Sequence, residues 1–199
     1  MERSYILHMF TPGKQMSPFD INMAVDAGYQ VVVPYCGVTL DEITGLTQDA
    51  IFSRGPKGVK ATGIFIGGRD VMLAADMLDA ARKAMVPPFE VSVIADPSGS
   101  YTTAAALVAC VEQVLRSAHG TDFAGKQVLI LGGTGTVGRI AGVLAAGLGA
   151  RVTLASHRDQ ANAEKAAAET AARLGCELRG VGIGSAEARR AALAGADVV

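Results

Sequence analysis

Short apolar runs alternate with helix-like segments along 199 residues, and a cluster of glycines at residues 132–138 joins one such pair. Together these predict an α/β fold with parallel sheets, because strands that alternate with helices pair in parallel. Half of the residues are hydrophobic, enough to bury a sizeable core. The predicted layout is an N-terminal open parallel α/β domain over residues 1–120, then a second unit over residues 121–199.

Residues 5–10 read as a short buried strand that ends in the loop Thr11-Pro12-Gly13-Lys14-Gln15. Ser17-Pro18-Phe19-Asp20 looks like a helix start, with Ser as N-cap and Pro at the first helical position. That helix runs to Ala27 and stops at Gly28. Val31-Val32-Val33 is a second strand, with Pro34-Tyr35-Cys36-Gly37 turning away from it. Thr39 and Glu42 have capping-box spacing for a short helix. A cationic Gly/Pro loop at residues 53–60 leads into a strand at residues 62–66. A helix over residues 70–85 follows, broken by Pro87-Pro88. Residues 89–95 form the next strand, Asp96 to Ser100 its turn, and residues 102–119 a long Ala-rich helix before a hinge near Gly120-Thr121-Asp122.

The second unit opens on an apolar strand at residues 126–131, then Gly132-Gly133-Thr134-Gly135-Thr136-Val137-Gly138, then a small-residue helix over residues 139–149. Gly133, Gly135 and Gly138 fit the G-x-G-x-x-G spacing of a dinucleotide-binding turn. One glycine permits the turn, the next admits a pyrophosphate, and the third lets helix and strand pack closely. The anion then sits at a helix N-terminus, where free N–H groups and the helix dipole favour it. Three glycines at fixed spacing arise by chance roughly 0.3 times in a chain this rich in glycine, so the context decides. The preceding strand, the following helix and a second strand at residues 151–156 supply a βαβ unit, and the reading is a Rossmann nucleotide-binding fold. The cofactor-binding candidates are Gly133, Thr134, Gly135, Thr136, Val137 and Gly138, with Ser156, His157 and Arg158 at the end of the second strand.

A Rossmann site for NAD carries Asp or Glu at that second strand end, accepting from the ribose 2′-hydroxyl. Here a hydroxyl and a guanidinium stand in its place, suited to a 2′-phosphate, which favours NADP. Asp159 follows closely and leaves room for NAD. The last residues, Leu193 to Val199, read as helix, turn and the start of a strand. With three to four strands against the six of a complete doubly wound sheet, the expectation is a Rossmann domain whose C-terminal part is missing.

Net charge is −1 and no basic block is present, which argues against a nucleic-acid or polybasic membrane surface. No secretory signal and no long apolar span is visible, so the expected setting is the cytoplasm. Cys36, Cys110 and Cys176 are far apart and lack C-x-x-C spacing, so buried thiols are the reading rather than disulfides. The three histidines are scattered, and no metal set is expected. No Y-x-x-x-K pair and no G-x-S-x-G elbow occurs.

In open α/β sheets ligands gather beyond the carboxyl ends of strands. The first-half candidates placed there are Asp20, the cations Arg54, Lys57 and Lys60, the stretch Gly67-Gly68-Arg69-Asp70, and Asp96 through Thr103. Ser98, Ser100, Thr102 and Thr103 crowd hydroxyls at a helix start, where capping is the ordinary role of any one of them.

The runs Ser17 to Asp20, Ile51 to Gly55, Thr62 to Gly68 and Asp96 to Ala106 resemble the N-terminal domain of bacterial NAD(P)-dependent methylene-tetrahydromethanopterin dehydrogenases. Gly133 to Gly138 is similar to that family's nucleotide loop, and the resemblance covers essentially all of the sequence. Strictly NADP-dependent members have a Gly-Arg-Lys type of strand end; Ser156-His157-Arg158 departs from it and suggests use of both NADP and NAD. The resemblance implies oxidation of methylene- to methenyl-tetrahydromethanopterin by direct hydride transfer to nicotinamide, in one-carbon metabolism. Asp20 and Asp96 are then the candidate catalytic carboxylates, facing the nascent cation. Arg54, Lys57, Lys60, Ser98, Ser100, Thr102 and Thr103 are the candidate contacts to the methylene-tetrahydropterin. The same residues leave open a methylene-tetrahydrofolate dehydrogenase and a non-catalytic NADP-sensing module. Ala-rich surfaces fit a homo-oligomer.

Overall fold

The computed structural model describes residues 3–199; Met1 and Glu2, the start of the stretch read as lacking a secretory signal, lie outside them. The chain forms two compact units that divide after Gly99.

The first unit holds a four-stranded, all-parallel sheet ordered β2-β1-β3-β4. Its strands are β1 (Ile6–Thr11), β2 (Val31–Cys36), β3 (Thr62–Ile66) and β4 (Ser92–Ala95). Side chains alternate across a strand, and the register follows that rule. Leu7 and Met9 turn to one face with Phe65 and pack with Met16, Ala24 and Ile21 on and before helix α1 (Pro18–Asp26). Phe10, Ile64 and Ile66 turn to the other and are fully buried. Helices α2 (Ile43–Phe52) and α4 (Val71–Ala84) pack on each other and on β3, and the short turn of helix α3 (Gly55–Gly58) precedes β3.

Two departures from the sequence reading have local causes. β2 continues through Pro34, where a turn was expected, because β2 is an edge strand and a proline there costs no ladder hydrogen bond on its open side. β4 starts only at Ser92, since Val86 and Phe89 close a small bridge around Pro87-Pro88. The capping box holds: the Thr39 backbone N–H donates to Glu42 Oε2 at 2.7 Å. Asp70 caps α4 through its Oδ1, which accepts from Met72 and Leu73 N–H at 2.9 and 3.0 Å.

The second unit begins with α5 (Ser100–His119), which packs on α6 (Thr136–Gly147) and buries Ala104, Val108 and Leu115. The division therefore falls before this long helix, whereas the composition had suggested a hinge after it. The sheet is parallel, ordered β5-β6-β7, from β5 (Gln127–Ile130), β6 (Arg151–Ser156) and β7 (Leu178–Gly182). Helices α7 (Gln160–Leu174) and α8 (Ala186–Ala194) complete the connections. On the far side of β5, Val198 pairs in parallel with Val128, and Leu129 N–H donates to Val198 C=O at 2.9 Å. The expected strand start is thus seated beside β5. The order becomes third, second, first, fourth, which is the Rossmann arrangement with its change of direction at β5.

Candidate functional site

In the first unit the change of winding direction lies between β1 and β3, so their carboxyl ends open the crevice where α/β sheets bind ligands. The chain there is tightly tied. Thr11 is buried, and its Oγ1 accepts from Gly13 N–H at 3.1 Å. Gly67 N–H donates to Phe10 C=O at 2.9 Å, and Asp96 N–H to Ile66 C=O at 3.0 Å. Gly68, with φ of +113°, passes so near Pro12 that an added Cβ would lie 3.1 Å from its ring.

Two carboxylates reach this edge. Asp20 comes from the first turn of α1; a Cβ on Gly67 would lie 3.5 Å from its Oδ2. Asp96 follows the last residue of β4. Burial raises the Asp20 pKa above the ordinary carboxylate range, and the negative charge of Asp96 raises it further. Ser98 stands in the left-handed region at φ 54°, which is costly for a non-glycine residue, and its Oγ donates to Gly68 C=O at 2.9 Å. Asp20, Asp96, Ser98 and the Gly67-Gly68 turn therefore converge on one end of one sheet. Thr11 and Pro12 belong with them and were missed, because a short hydroxyl inside a strand end carries no signal until its neighbours are known.

The cations do not converge there. The loop leads into β3, so it lies at the amino ends of the strands, opposite the crevice. Arg54 Nη2 donates to Ser4 C=O at 2.8 Å and its Nε to Thr62 Oγ1 at 3.1 Å. Lys57 and Lys60 are exposed at the same end. Placing Arg54, Lys57 and Lys60 among the carboxyl-end groups was an error of direction along the strand. Nearby, burial and then the Arg54 charge lower the pKa of His8, whose Nδ1 lies 3.1 Å from the Tyr35 hydroxyl.

Ser100, Thr102 and Thr103 belong to the first turn of α5 in the second unit. Thr102 and Thr103 are exposed, while Ser100 is fully buried with no hydrogen-bond partner for its Oγ.

The second unit's glycine turn divides its labour differently from the sequence reading. The left-handed turn belongs to Gly132, at φ +69°. Gly133 runs against β6 so closely that a Cβ would meet Leu154 Cα at 2.7 Å and Ala155 N at 2.9 Å. At Gly138 a Cβ would meet Gly132 C=O and Gly133 Cα, both at 2.7 Å, so this glycine packs the helix onto its own turn. Gly135 is exposed at the N-cap of α6, and a Cβ there would have one neighbour, Gly132 C=O at 3.3 Å. The first-turn N–H groups of Thr136, Val137 and Gly138 have no intrahelical partner, and no acidic side chain stands in that turn. Open backbone beside unpaired N–H groups suits a pyrophosphate.

At the end of β6 the three candidates separate. Ser156 is fully buried; its Oγ donates to Asn162 Oδ1 at 2.9 Å and accepts from Arg158 N–H at 3.2 Å. That hydroxyl is engaged within the turn into α7, and of the three candidates it is the one turned to the core. His157 and Arg158 are exposed. Asp159 is occupied as the N-cap of α7, accepting from Asn162 N–H at 2.7 Å. The Asp159 carboxylate that follows this strand end is thus engaged through Oδ1 in capping α7. Among the described residues, no group of three or more His, Cys, Asp or Glu could hold a metal ion, and no helix is long and apolar enough to cross a membrane.

Comparison with known proteins gives this geometry a family. Residues 18–98 match the family described as methylene-tetrahydromethanopterin dehydrogenase, N-terminal, a stretch that runs from α1 to Ser98. The chain is 49% identical over all 199 residues to the NAD(P)-dependent methylenetetrahydromethanopterin dehydrogenase of Methylorubrum extorquens, and it spans 67% of that protein. It is 35% identical over 129 residues to the bifunctional protein MdtA of the same organism, covering 65% of this chain and 43% of that one. Among solved structures, the holo form of Rhodotorula graminis D-mandelate dehydrogenase is similar at 14% identity and a TM-score of 0.32, over 86% of this chain and 60% of that one. A likeness so slight carries no weight, and the fold rests on the strand orders above. The full-length identity is decisive: the chain belongs to the methylene-tetrahydromethanopterin dehydrogenase family.

Proposed function

We propose that this protein oxidises methylene-tetrahydromethanopterin to methenyl-tetrahydromethanopterin, with NADP or NAD as hydride acceptor, in one-carbon metabolism. The observation that carries the reading is the 49% identity to a relative of that name along the whole chain. The alternatives, a tetrahydrofolate enzyme or a nucleotide sensor, have no comparable support.

The second unit fits a dinucleotide. Gly135 and the N–H groups of residues 136–138 would hold the pyrophosphate, and Arg158, with His157 beside it, would meet the 2′-phosphate. When bound, the nicotinamide supplies the acceptor for the hydride.

The first unit would hold the pterin at the crevice of β1, β3 and β4. The methenyl product carries a positive charge spread over two nitrogens, and no proton leaves in the step. What the protein must supply is orientation and a negative field. Asp20 and Asp96 suit that need: two partly buried carboxylates repel one another, and a cation developing beside them relieves the repulsion. Ser98, fixed on the Gly68 carbonyl, would orient the substrate's polar edge.

The test is hydride transfer. Incubating the full-length protein with NADP and methylene-tetrahydromethanopterin should raise the absorbance of reduced nicotinamide. Turnover on the tetrahydrofolate analogue alone, or nucleotide binding with no turnover on either pterin, would overturn the reading.

A further inference from the structure

Arg139, one residue beyond the last glycine of the turn, has no part in the glycine pattern, yet its guanidinium is tied at two points. Its Nε donates to Thr134 C=O at 3.3 Å, and its Nη2 to Glu169 Oε2 on α7 at 3.4 Å. The side chain is largely buried, at 20% exposure, and Glu169 in turn lies 3.9 Å from Lys165 Nζ. We infer that Arg139 is a positioning residue for nucleotide binding: it holds the Thr134-Gly135 segment against α7, so that the open N–H groups of the turn stand ready for the pyrophosphate.

Three points support this. Gly132 to Gly135 is a stretch with three glycines in four residues, which has much backbone freedom to lose on ordering. Inside the turn, Gly133 N–H reaches Ile130 and Ala155 C=O, and Gly135 N–H reaches Gly132 C=O. Thr134 C=O is met by Arg139 from outside the turn. A planar guanidinium can reach two acceptors in different directions at once; an ammonium is a point charge and cannot reproduce that fork. Ordering a loop before the ligand arrives removes a cost that binding otherwise bears.

The inference rests on the nucleotide reading of the second unit, and the two can fail separately. NADP affinity is measured by titration calorimetry in the parent protein, Arg139→Met, Arg139→Lys and Glu169→Gln. Amide exchange of residues 132–138 is followed without nucleotide, and kcat and the pterin KM at saturating NADP. The expected result is a weakening of NADP binding by about tenfold in both Arg139 variants and by a few-fold in Glu169→Gln, in the range of an ordering cost. Exchange should be faster in residues 132–138, with kcat and the pterin KM little changed. Parent-like NADP affinity in Arg139→Met, or full rescue by Arg139→Lys, overturns the positioning role, the latter by showing that charge alone suffices. An equal loss in pterin KM and kcat overturns it too, as general damage. Failure of the parent to bind NADP or NAD overturns the nucleotide reading instead.

Discussion

Asp20 and Asp96 approach the same end of one sheet from different elements, the first turn of α1 and the end of β4, and the charge of Asp96 adds to burial in raising the Asp20 pKa. The sign of this shift gives opposite effects on stability and on rate. A carboxyl whose folded pKa is raised favours the folded state where it is protonated; that contribution fades as pH rises through the unfolded and then the folded pKa. At neutral pH, where the unfolded carboxyl is ionised, Asp20 is therefore a burden on the fold. Asp20→Asn should raise the melting temperature at pH 7 and leave it unchanged near pH 3, where both states are protonated. The same substitution should lower turnover by about tenfold or more if the carboxylate stabilises the developing cation. A melting temperature that falls at pH 7 would contradict the repulsion.

The rate should report the same pair. If Asp20 is the carboxylate that meets the developing cation, turnover requires it ionised and should decline as pH falls through the raised pKa. Asp96→Asn removes the like charge and should shift that acid limb to lower pH, whatever it does to the maximal rate. A limb that stays in place would show that the Asp96 charge does not act on Asp20.

The cationic loop should prove structural. Lys57→Ala and Lys60→Ala are exposed changes at the amino ends of the strands and should leave the pterin KM within about twofold. Arg54→Met, by contrast, removes donors to Ser4 C=O and Thr62 Oγ1 and should cost about 1–2 kcal/mol of stability. Denaturant unfolding of Arg54→Met beside steady-state kinetics of the lysine variants separates the two roles.

The glycine turn allows a sharper contrast. Gly133→Ala would force a methyl against the backbone of β6 and of Ile130, atoms that cannot step aside, and should cost about 2–3 kcal/mol or prevent folding. Gly135→Ala meets only Gly132 C=O at 3.3 Å and should fold nearly as the parent does, while occupying the space a pyrophosphate needs. Melting temperature and NADP affinity should therefore respond to different glycines. If Gly135→Ala binds NADP normally, the phosphate is not held at this turn.

Much of this was legible in the sequence, and what was not has physical reasons. Residues 151–156 read as a strand because they follow the glycine turn and its helix at βαβ distance, and β6 spans Arg151–Ser156. The Thr39–Glu42 box and the glycine spacing are local chemistry, carried by residues a few positions apart. That Arg54, Lys57 and Lys60 precede a strand was plain, and in a parallel sheet this alone puts them at the amino ends, away from the crevice, so the signal was present and was misread. Burial of Ser156, by contrast, is set by Asn162 on the following helix, and nothing in Ser-His-Arg distinguishes a hydroxyl facing a ligand from one facing the core.

That last ambiguity is the most accessible to experiment. Ser156 donates to Asn162 and accepts from Arg158 N–H within a buried turn, so Ser156→Ala strands polar partners and should cost about 1–3 kcal/mol of stability. It should leave the ratio of NADP to NAD affinity unchanged, because the hydroxyl is buried and engaged by Asn162 and Arg158. Arg158→Ala touches an exposed side chain and should barely move the melting temperature. Yet it should weaken NADP by about tenfold relative to NAD, the scale of a charge-assisted contact to a 2′-phosphate. The double change adds no carboxylate at this strand end, where Asp159 Oδ1 caps α7, so it should bind both nucleotides similarly and gain no preference for NAD. Affinities for both nucleotides across the three variants check this, and a preference that follows Ser156 rather than Arg158 would overturn the assignment.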